Sequence, residues 1–228
     1  MPPRPPPTMR AGNGNNGTAQ GAVSQVPGRV GLAYALDGGC IGVPDSTSLA
    51  MAGNNQVTMM MWLDAASACT VSVDNCEWMN KENEYEMAQG SGSAEWVPPQ
   101  TIAGGFGEAI QRSDGNWFWM EQTPNVITTG TWLHVAVTWD GTTVTRYLDG
   151  AVLDDPSNPR ALGSPPSFAS SGWGLGIGCR SVTADGSIAG PYATTVGLAQ
   201  FHGIVDEAAL YDRALTPAEI AAYYAATN

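Results

Sequence analysis

The chain has 228 residues, of which 43% are hydrophobic and only 13% are charged, and its formal net charge is −12 at pH 7. This length suits one large domain or two small ones, and the hydrophobic share is sufficient for a packed core. The excess of carboxylates argues against nucleic acid as a partner, because both molecules would be anionic. A run of about 18 apolar residues is lacking, so membrane insertion is not expected.

The first 28 residues are rich in Pro, Gly, Asn and Gln and contain almost no apolar side chains. Such a composition cannot bury enough surface to fold alone. Residues 1–28 are therefore predicted to be an extended arm, represented by Pro2, Pro5 and Arg10, that docks on a neighbouring capsid or self subunit. The segment lacks the apolar core of a secretory signal, so no signal peptide is expected in it.

From Arg29 onward the pattern predicts β-strands. The apolar run VTMMMWL is expected to be a strand buried on both faces. The stretch 89–115 is rich in Gly, Ser and Pro and is expected to form one or two long loops. Before residue 130 the predicted strands are 30–36, 57–63, 69–73, 83–88 and 116–122.

The stretch GTWLHVAVTWDGTTVTRYLDG (130–150) alternates, turns on Asp140-Gly141, alternates again and turns on Asp149-Gly150. Asp-Gly supplies the positive φ angles of tight hairpins, so a β-meander is predicted. Alternation predicts that the two faces of its first strand differ. One face carries Trp132, His134, Ala136 and Thr138, and the other carries Leu133, Val135, Val137 and Trp139.

The C-terminal third predicts a Gly-rich strand at 172–179, further strands within 197–215 and a short helix. Thr216 is the expected N-cap and Glu219 completes a capping box. The prediction is an all-β fold: a two-sheet antiparallel jelly-roll sandwich over residues 29–228, with a short C-terminal helix and the N-terminal arm.

Four cysteines are present, and an even number in such a chain suggests two disulfides with three alternative pairings. Cys69 and Cys76 are close enough to close a short loop, in which case Cys40 would pair with Cys179. Four free buried thiols are the alternative.

Three segments together resemble one family: WLHVAVTWDGTTVTRYLDG, the later LGIG with FHGIVDEAALYDRALTPAEIAAYY, and GVPDSTSLAMAGNNQVTMMMWL. They are similar to the laminin-G-like, or concanavalin-A-like, jelly-roll superfamily, in its pentraxin-related branch. NKENEYEMA (80–88) also resembles a strand of such domains. The resemblance implies that His134 is a core residue with satisfied ring nitrogens, and that Asp206 and Glu207 are structural and bonded to backbone. The fold alone hosts lectins, adhesion modules, glycosidases and structural proteins.

The resemblance suggests a calcium site as well. Asp74 and Asn75 fall where pentraxins have an Asp-Asn pair of ligands, and Asp185 falls near their acidic ligand loop. Carboxylate, amide and carbonyl oxygens are the ligands that calcium prefers. One Ca²⁺ is therefore expected at these residues, although ordinary turn formation explains the same residue types.

Glycan binding would use an aromatic platform, and the candidates are Trp96, Trp78 and Trp117. Trp96 lies in the Pro-rich loop SAEWVPPQ and is the best exposed candidate, whereas most tryptophans belong to cores. A glycosidase is the third alternative, because alternation places Glu82, Glu84 and Glu86 on one side of the predicted strand 83–88.

The sequence thus predicts a non-enzymatic surface-binding module at an extracellular or virion surface, which recognises a glycan or cell-surface polysaccharide. The alternative is a structural virion component, such as a phage head-decoration or fibre protein, whose arm docks on a neighbouring subunit.

Overall fold

The computed structural model describes residues 8–9, 13–51, 55–69, 75–90, 104–119, 123, 125–168, 170–180, 182–189 and 200–228. In chain order the strands are β1 (Thr8–Met9), β2 (Gly17–Gln20), β3 (Val23–Pro27), β4 (Leu32–Asp37), β5 (Cys40–Val43), β6 (Val57–Ala65), β7 (Cys76–Lys81), β8 (Tyr85–Gln89), β9 (Phe106–Gln111), β10 (Trp117–Trp119), β11 (Trp132–Trp139), β12 (Thr143–Leu148), β13 (Ala151–Val152), β14 (Arg160–Ala161), β15 (Leu175–Ile177) and β16 (His202–Tyr211). Helix α1 (Pro217–Thr227) follows them.

The strands form two antiparallel sheets. Sheet A has the order β1-β2-β5-β15-β7-β8-β9-β10, and sheet B has the order β13-β12-β11-β6-β16-β4-β3, with β14 paired to β12. The hydrophobic core lies between the sheets and receives alternate residues from both. The predicted all-β sandwich with a C-terminal helix is confirmed.

Strand β6 is buried on both faces, as its apolar run predicts. Met59 and Met61 point into the core between the sheets, whereas Met60 packs on the opposite face with Ile220 of α1. The strand occupies the middle of sheet B, between β11 and β16. It therefore has the second sheet on one side and the helix on the other.

Helix α1 begins with the expected capping box. The Thr216 side chain accepts a bond from the Glu219 backbone N–H, and the Glu219 carboxylate accepts one from the Thr216 N–H at 2.8 Å. The helix has 11 residues, and no helix among the described residues is long and apolar enough to cross a membrane.

His134 is buried as expected, but its position differs from the expectation. It lies on the outer face of sheet B, where its ring contacts Trp62 at 5.4 Å and Tyr223 of α1 at 5.6 Å between centroids. Neither ring nitrogen has a hydrogen-bond partner within the described ranges, contrary to the prediction that both are satisfied. Burial lowers the pKa of His134 from 6.5 to about 4, so the ring is neutral at pH 7.

Some predicted elements have other bounds. Within the arm predicted at 1–28, residues 17–20 and 23–27 form β2 and β3 in the sandwich of the same chain. The predicted loop 89–115 contains strand β9, whose alternation is hidden behind the glycines that precede it. Residues 70–73 of the predicted strand 69–73 lie outside the described ranges.

Both disulfides have the pairing that the short Cys69–Cys76 spacing favours. Cys69 is joined to Cys76 and Cys40 to Cys179, each with 5.6 Å between Cα atoms. Disulfides are typical of proteins in extracellular, oxidising compartments.

Candidate functional site

The outer face of sheet A is the side turned away from the core. The registers of seven adjacent strands align one row of residues across this face, which is called the ladder: Thr18, Gly42, Gly176, Asn80, Glu86, Ala109 and Trp119. Seven strands at about 4.8 Å spacing make this ladder roughly 29 Å long. The residues on either side of these positions, such as Ile41, Ile177 and Met87, belong to the core.

The middle of the ladder is polar and buried. Asn80 donates from Nδ2 to Glu86 Oε2 at 2.9 Å, and the two residues are 1% and 4% exposed. Asn80 Oδ1 has no hydrogen-bond partner within the described ranges. Glu77, also on this face by its register with Ala88, is fully buried. A buried acceptor without a partner is costly, so this position favours a donor from outside the described residues.

Glycines on β15 and β5 stand beside the polar pair, because another segment of the same chain lies close to the sheet there. A Cβ atom on Gly42 would lie 2.0 Å from the Gly186 carbonyl oxygen, and one on Gly176 would lie 2.4 Å from the Cys179 carbonyl oxygen. The Cys40–Cys179 disulfide ties this loop, residues 178–189, to the sheet. The loop therefore covers the β5 and β15 end of the face.

Asp185 lies exposed in this loop and serves the turn. Its Oδ1 accepts bonds from Thr183 Oγ1 at 2.5 Å and from the Ser187 backbone N–H at 3.0 Å. The Thr183 hydroxyl is the main cause that lowers the pKa of this carboxyl group. These contacts are those of a local turn former.

Two of the predicted calcium ligands, Asn75 and Asp185, lie on different elements of the structure. Asp185 lies next to Gly186 above Gly42, and the ladder aligns Gly42 with Asn80. Asn75 lies five residues before Asn80, which is about 16 Å further along the strand. Ligands of one calcium ion lie within about 5 Å of each other. The strand register thus places Asn75 and Asp185 on different parts of the sheet, and the calcium site stays a prediction. Asp74 lies outside the described residues.

Metal ligation has no other candidate in the described ranges, where no group of three or more His, Cys, Asp or Glu side chains is placed to hold an ion. Asn75 is itself almost buried at 8% exposure.

The three tryptophan candidates differ in position. Trp78 is fully buried against Phe106, with 5.3 Å between ring centroids, so it cannot present a face to a sugar. A β-bulge between Glu77 and Met79 turns it into the core. Trp117 is half-buried on edge strand β10, on the outer side. Trp96 lies outside the described residues, as do Pro2, Pro5 and Arg10 of the arm.

The three glutamates proposed for glycosidase chemistry do not form a catalytic pair. Residues 82–84 form the turn between β7 and β8, so the expected alternation along one strand is absent there. Glu82 binds Arg180, and Glu84 is buried with Lys81 at 2.9 Å. Glu86 alone lies on the outer face, bonded to Asn80.

Asp206 and Glu207 have the structural character that the sequence predicts, with one difference. Asp206 accepts bonds from the backbone N–H groups of Val30 and Glu207 at 3.0 and 2.9 Å. The Glu207 carboxylate instead accepts from the Tyr223 hydroxyl at 3.2 Å.

The sequence analysis missed Glu77 and Asn80. The two residues are three positions apart, so a strict period of two would place them on opposite faces, and the bulge on β7 brings both to one face.

The sequence matches the family model of the concanavalin A-like lectin/glucanases superfamily over residues 38–221. The chain belongs to this superfamily. The matched range contains every residue of the ladder except Thr18. The pentraxin-related branch remains a prediction. No curated protein matches the sequence significantly.

Three solved structures illustrate the likeness. Domain 4 of AbnA, a GH43 extracellular arabinanase from Geobacillus stearothermophilus in complex with arabinotriose, is 18% identical with a TM-score of 0.57, and the match covers 90% of this chain and 86% of that one. The binding domain of Paraclostridial Mosquitocidal Protein 1 is 15% identical with a TM-score of 0.65 over 93% of this chain. The binding domain of botulinum neurotoxin DC in complex with SialylT is 10% identical with a TM-score of 0.61 over 95%. The chain spans 48% of each toxin domain. At these identities the likeness shows the fold alone.

Proposed function

We propose that the protein is a non-enzymatic surface-binding module that holds a glycan on the outer face of sheet A. The observation that carries this proposal is the polar outer face of sheet A, where Trp117 is half-buried at the β10 edge and the buried Asn80–Glu86 pair holds the centre of the ladder. At 1% and 4% exposure, Asn80 and Glu86 act as positioning residues beneath this face, and sugar hydroxyls would contact the exposed groups around them. Membership of a lectin-containing superfamily and the arabinotriose complex of the arabinanase domain support the proposal.

The glycan is a neutral one. The chain has a net charge of −12, and the outer face adds the carboxylates of Glu77 and Glu86. An anionic sugar would meet the like net charge of the chain, which disfavours its association. Trp117, half-buried at the β10 edge, supplies the accessible aromatic surface next to the ladder.

Calcium remains part of the proposal in a narrower form. Asp74 and Asn75 adjoin the Cys69–Cys76 disulfide, and their oxygens are suitable calcium ligands. Asp185 lies in the loop 178–189, where its carboxylate accepts bonds within the turn.

The experiment is glycan-array binding of the purified protein, run with calcium and with chelator, followed by calorimetry on the best neutral oligosaccharide. Glu86→Gln keeps the size of the side chain and removes its charge, and we expect it to weaken binding by about tenfold or more. The matched control is Asp37→Asn, a carboxylate that is 92% exposed on sheet B.

The outcomes separate the parts of the proposal. If binding survives chelator, the glycan part of the proposal stands and the calcium part is rejected. Equal affinities for Glu86→Gln and Asp37→Asn would move the site away from this face. An array without any binding would overturn the function. Release of reducing ends from the bound oligosaccharide would contradict the non-enzymatic assignment.

A further inference from the structure

A cleft of about 850 Å³ opens between the two sheets beside the second half of β16. The cleft exists because β4 pairs with β16 only as far as Val205, which stands opposite Tyr34. Beyond a bulge after Asp206, β16 pairs with β6 on one side, and no described strand pairs with its other side. Glu207, within the bulge, has a φ of 49°. The backbone groups of this free edge therefore face the cleft.

The interior of the cleft is apolar and its mouth is aromatic and acidic. Core side chains of both sheets, such as Leu175 and Val205, line the interior. The partly or fully exposed lining residues include three tyrosines and two acidic residues, Tyr34, Tyr211, Tyr223, Glu207 and Asp212, together with the polar Asn13, Thr47 and Ser48. The volume lies within the range of pockets that bind ligands, about 300–1,000 Å³.

We propose that this cleft binds the Pro-rich segment MPPRPPP, residues 1–7, of a second copy of the chain. The segment has five prolines, carries Arg4 and has no acidic residue, so it complements the acidic mouth. Pro-rich segments favour the extended polyproline II conformation and are recognised by grooves lined with aromatic side chains. Proline keeps its carbonyl oxygen, which accepts hydrogen bonds from tyrosine hydroxyls and from backbone N–H groups.

The topology of the N-terminal hairpin favours a second copy over the same chain. Strand β1 passes from Thr8, opposite Thr18, to Met9, opposite Gly17, and so runs towards the cleft mouth at Asn13 and Asn15. Residues 1–7 join β1 from its opposite end, and a Pro-rich segment is too stiff to fold back over a short distance. Seven residues in polyproline II reach about 22 Å, which suits an exchange of arms between two copies.

The test is sedimentation velocity of the full chain over a range of concentrations. We expect a concentration-dependent dimer, whose dissociation constant rises about tenfold in Arg4→Glu and in Asp212→Lys. Because the two changes reverse interacting charges, the double variant Arg4→Glu/Asp212→Lys should regain most of the affinity. Asp37→Lys, an equal charge change on the exposed Asp37 of β4, is the control and should leave the dimer unchanged.

A second measurement identifies the occupant. Replacing Tyr211 with photoreactive p-benzoylphenylalanine should give a cross-linked dimer joined to residues 1–7. A cross-link confined to one chain, a chain that is monomeric at all concentrations, or a dimer insensitive to both charge reversals would overturn the proposal. None of these outcomes depends on glycan binding, so the two proposals fail or succeed separately.

Discussion

The two outer faces of the sandwich are covered by different chemistry. On sheet B, Met60, Ala136 and Tyr147 pack beneath Ile220 of helix α1. On sheet A, the Asn80–Glu86 pair lies between Gly176 and Ala109, and the disulfide-anchored loop 178–189 covers the face at β5 and β15. An apolar cover contributes stability in proportion to the area that it buries. A polar face with an unpartnered acceptor contributes little of that kind, so the stability of this protein should depend on the sheet B cover and its binding on sheet A.

The largest effect should come from truncating the centre of the sheet B cover. Ile220 is fully buried, and Ile220→Ala should lower the free energy of unfolding by about 2–5 kcal/mol through lost burial and a residual cavity. Denaturant unfolding followed by tryptophan fluorescence measures this loss. Ala221→Ser, at an exposed position of the same helix, is the control and should stay within about 0.5 kcal/mol. A loss below about 1 kcal/mol would show that the helix is not a stabilising cover.

Acid should loosen the same cover through His134. Burial lowers its folded-state pKa to about 4, whereas the unfolded chain titrates near 6.5. The unfolded state therefore takes up the proton first, and stability falls as the pH decreases from about 6.5 to about 4, by up to about 3 kcal/mol. The measurement is the free energy of unfolding of the wild type and of His134→Phe at several pH values.

The free energy of unfolding should depend on pH more steeply in the wild type than in His134→Phe between pH 6.5 and 4, because phenylalanine does not titrate. Glu108, buried near Arg146, acts in the opposite direction, since burial raises its pKa from 4.5 to about 7. Its contribution is complete below about pH 4.5 and is lost as the pH rises through 7. It is present in both proteins and cancels in their difference. Parallel pH profiles would therefore refute the role of His134.

A smaller effect is expected on sheet A, where packing is tight but not apolar. Gly42→Ala would place a Cβ atom 2.0 Å from Gly186 O and 2.5 Å from Gln20 Nε2, so the loop must shift. We expect a loss of about 1–3 kcal/mol in stability together with weaker glycan binding. Thr18→Ala, the exposed neighbour in the same ladder, should change neither quantity. If a folded Gly42→Ala protein binds glycan as the wild type does, the loop 178–189 has no role in binding.

Much of sheet B could be predicted from the sequence. Strands β11 and β12 have the predicted bounds, because an Asp-Gly turn fixes the register between them and each strand alternates cleanly. The capping box located the start of α1 for an equally local reason. Alternation also separated the two sides of β11, but it could not say that the helix covers the side with His134, because that contact joins distant parts of the chain.

The candidate site was harder to predict because its features are not periodic. The bulge on β7 places Trp78 in the core and hides the common face of Glu77 and Asn80. Gly42 and Gly176 looked like ordinary turn or strand glycines, and only the approach of the loop shows why a side chain is excluded there. The family resemblance suggested Asn75 and Asp185 as ligands of one calcium ion, and the strand register places them on different parts of the sheet.

The smallest predicted effect tests whether the sheet B cover behaves as a unit. Thr216→Ala removes the side-chain acceptor of the Glu219 N–H, and losing an N-cap costs about 1 kcal/mol. Thr216→Ser keeps the acceptor and should restore most of the stability. Because a cap acts on the first turn, amide hydrogen exchange should accelerate throughout α1 while the amides of β7 and β8 keep their protection. If exchange accelerates equally in α1 and in β7 and β8, the helix and the sandwich open together. The two faces would then not be energetically separate.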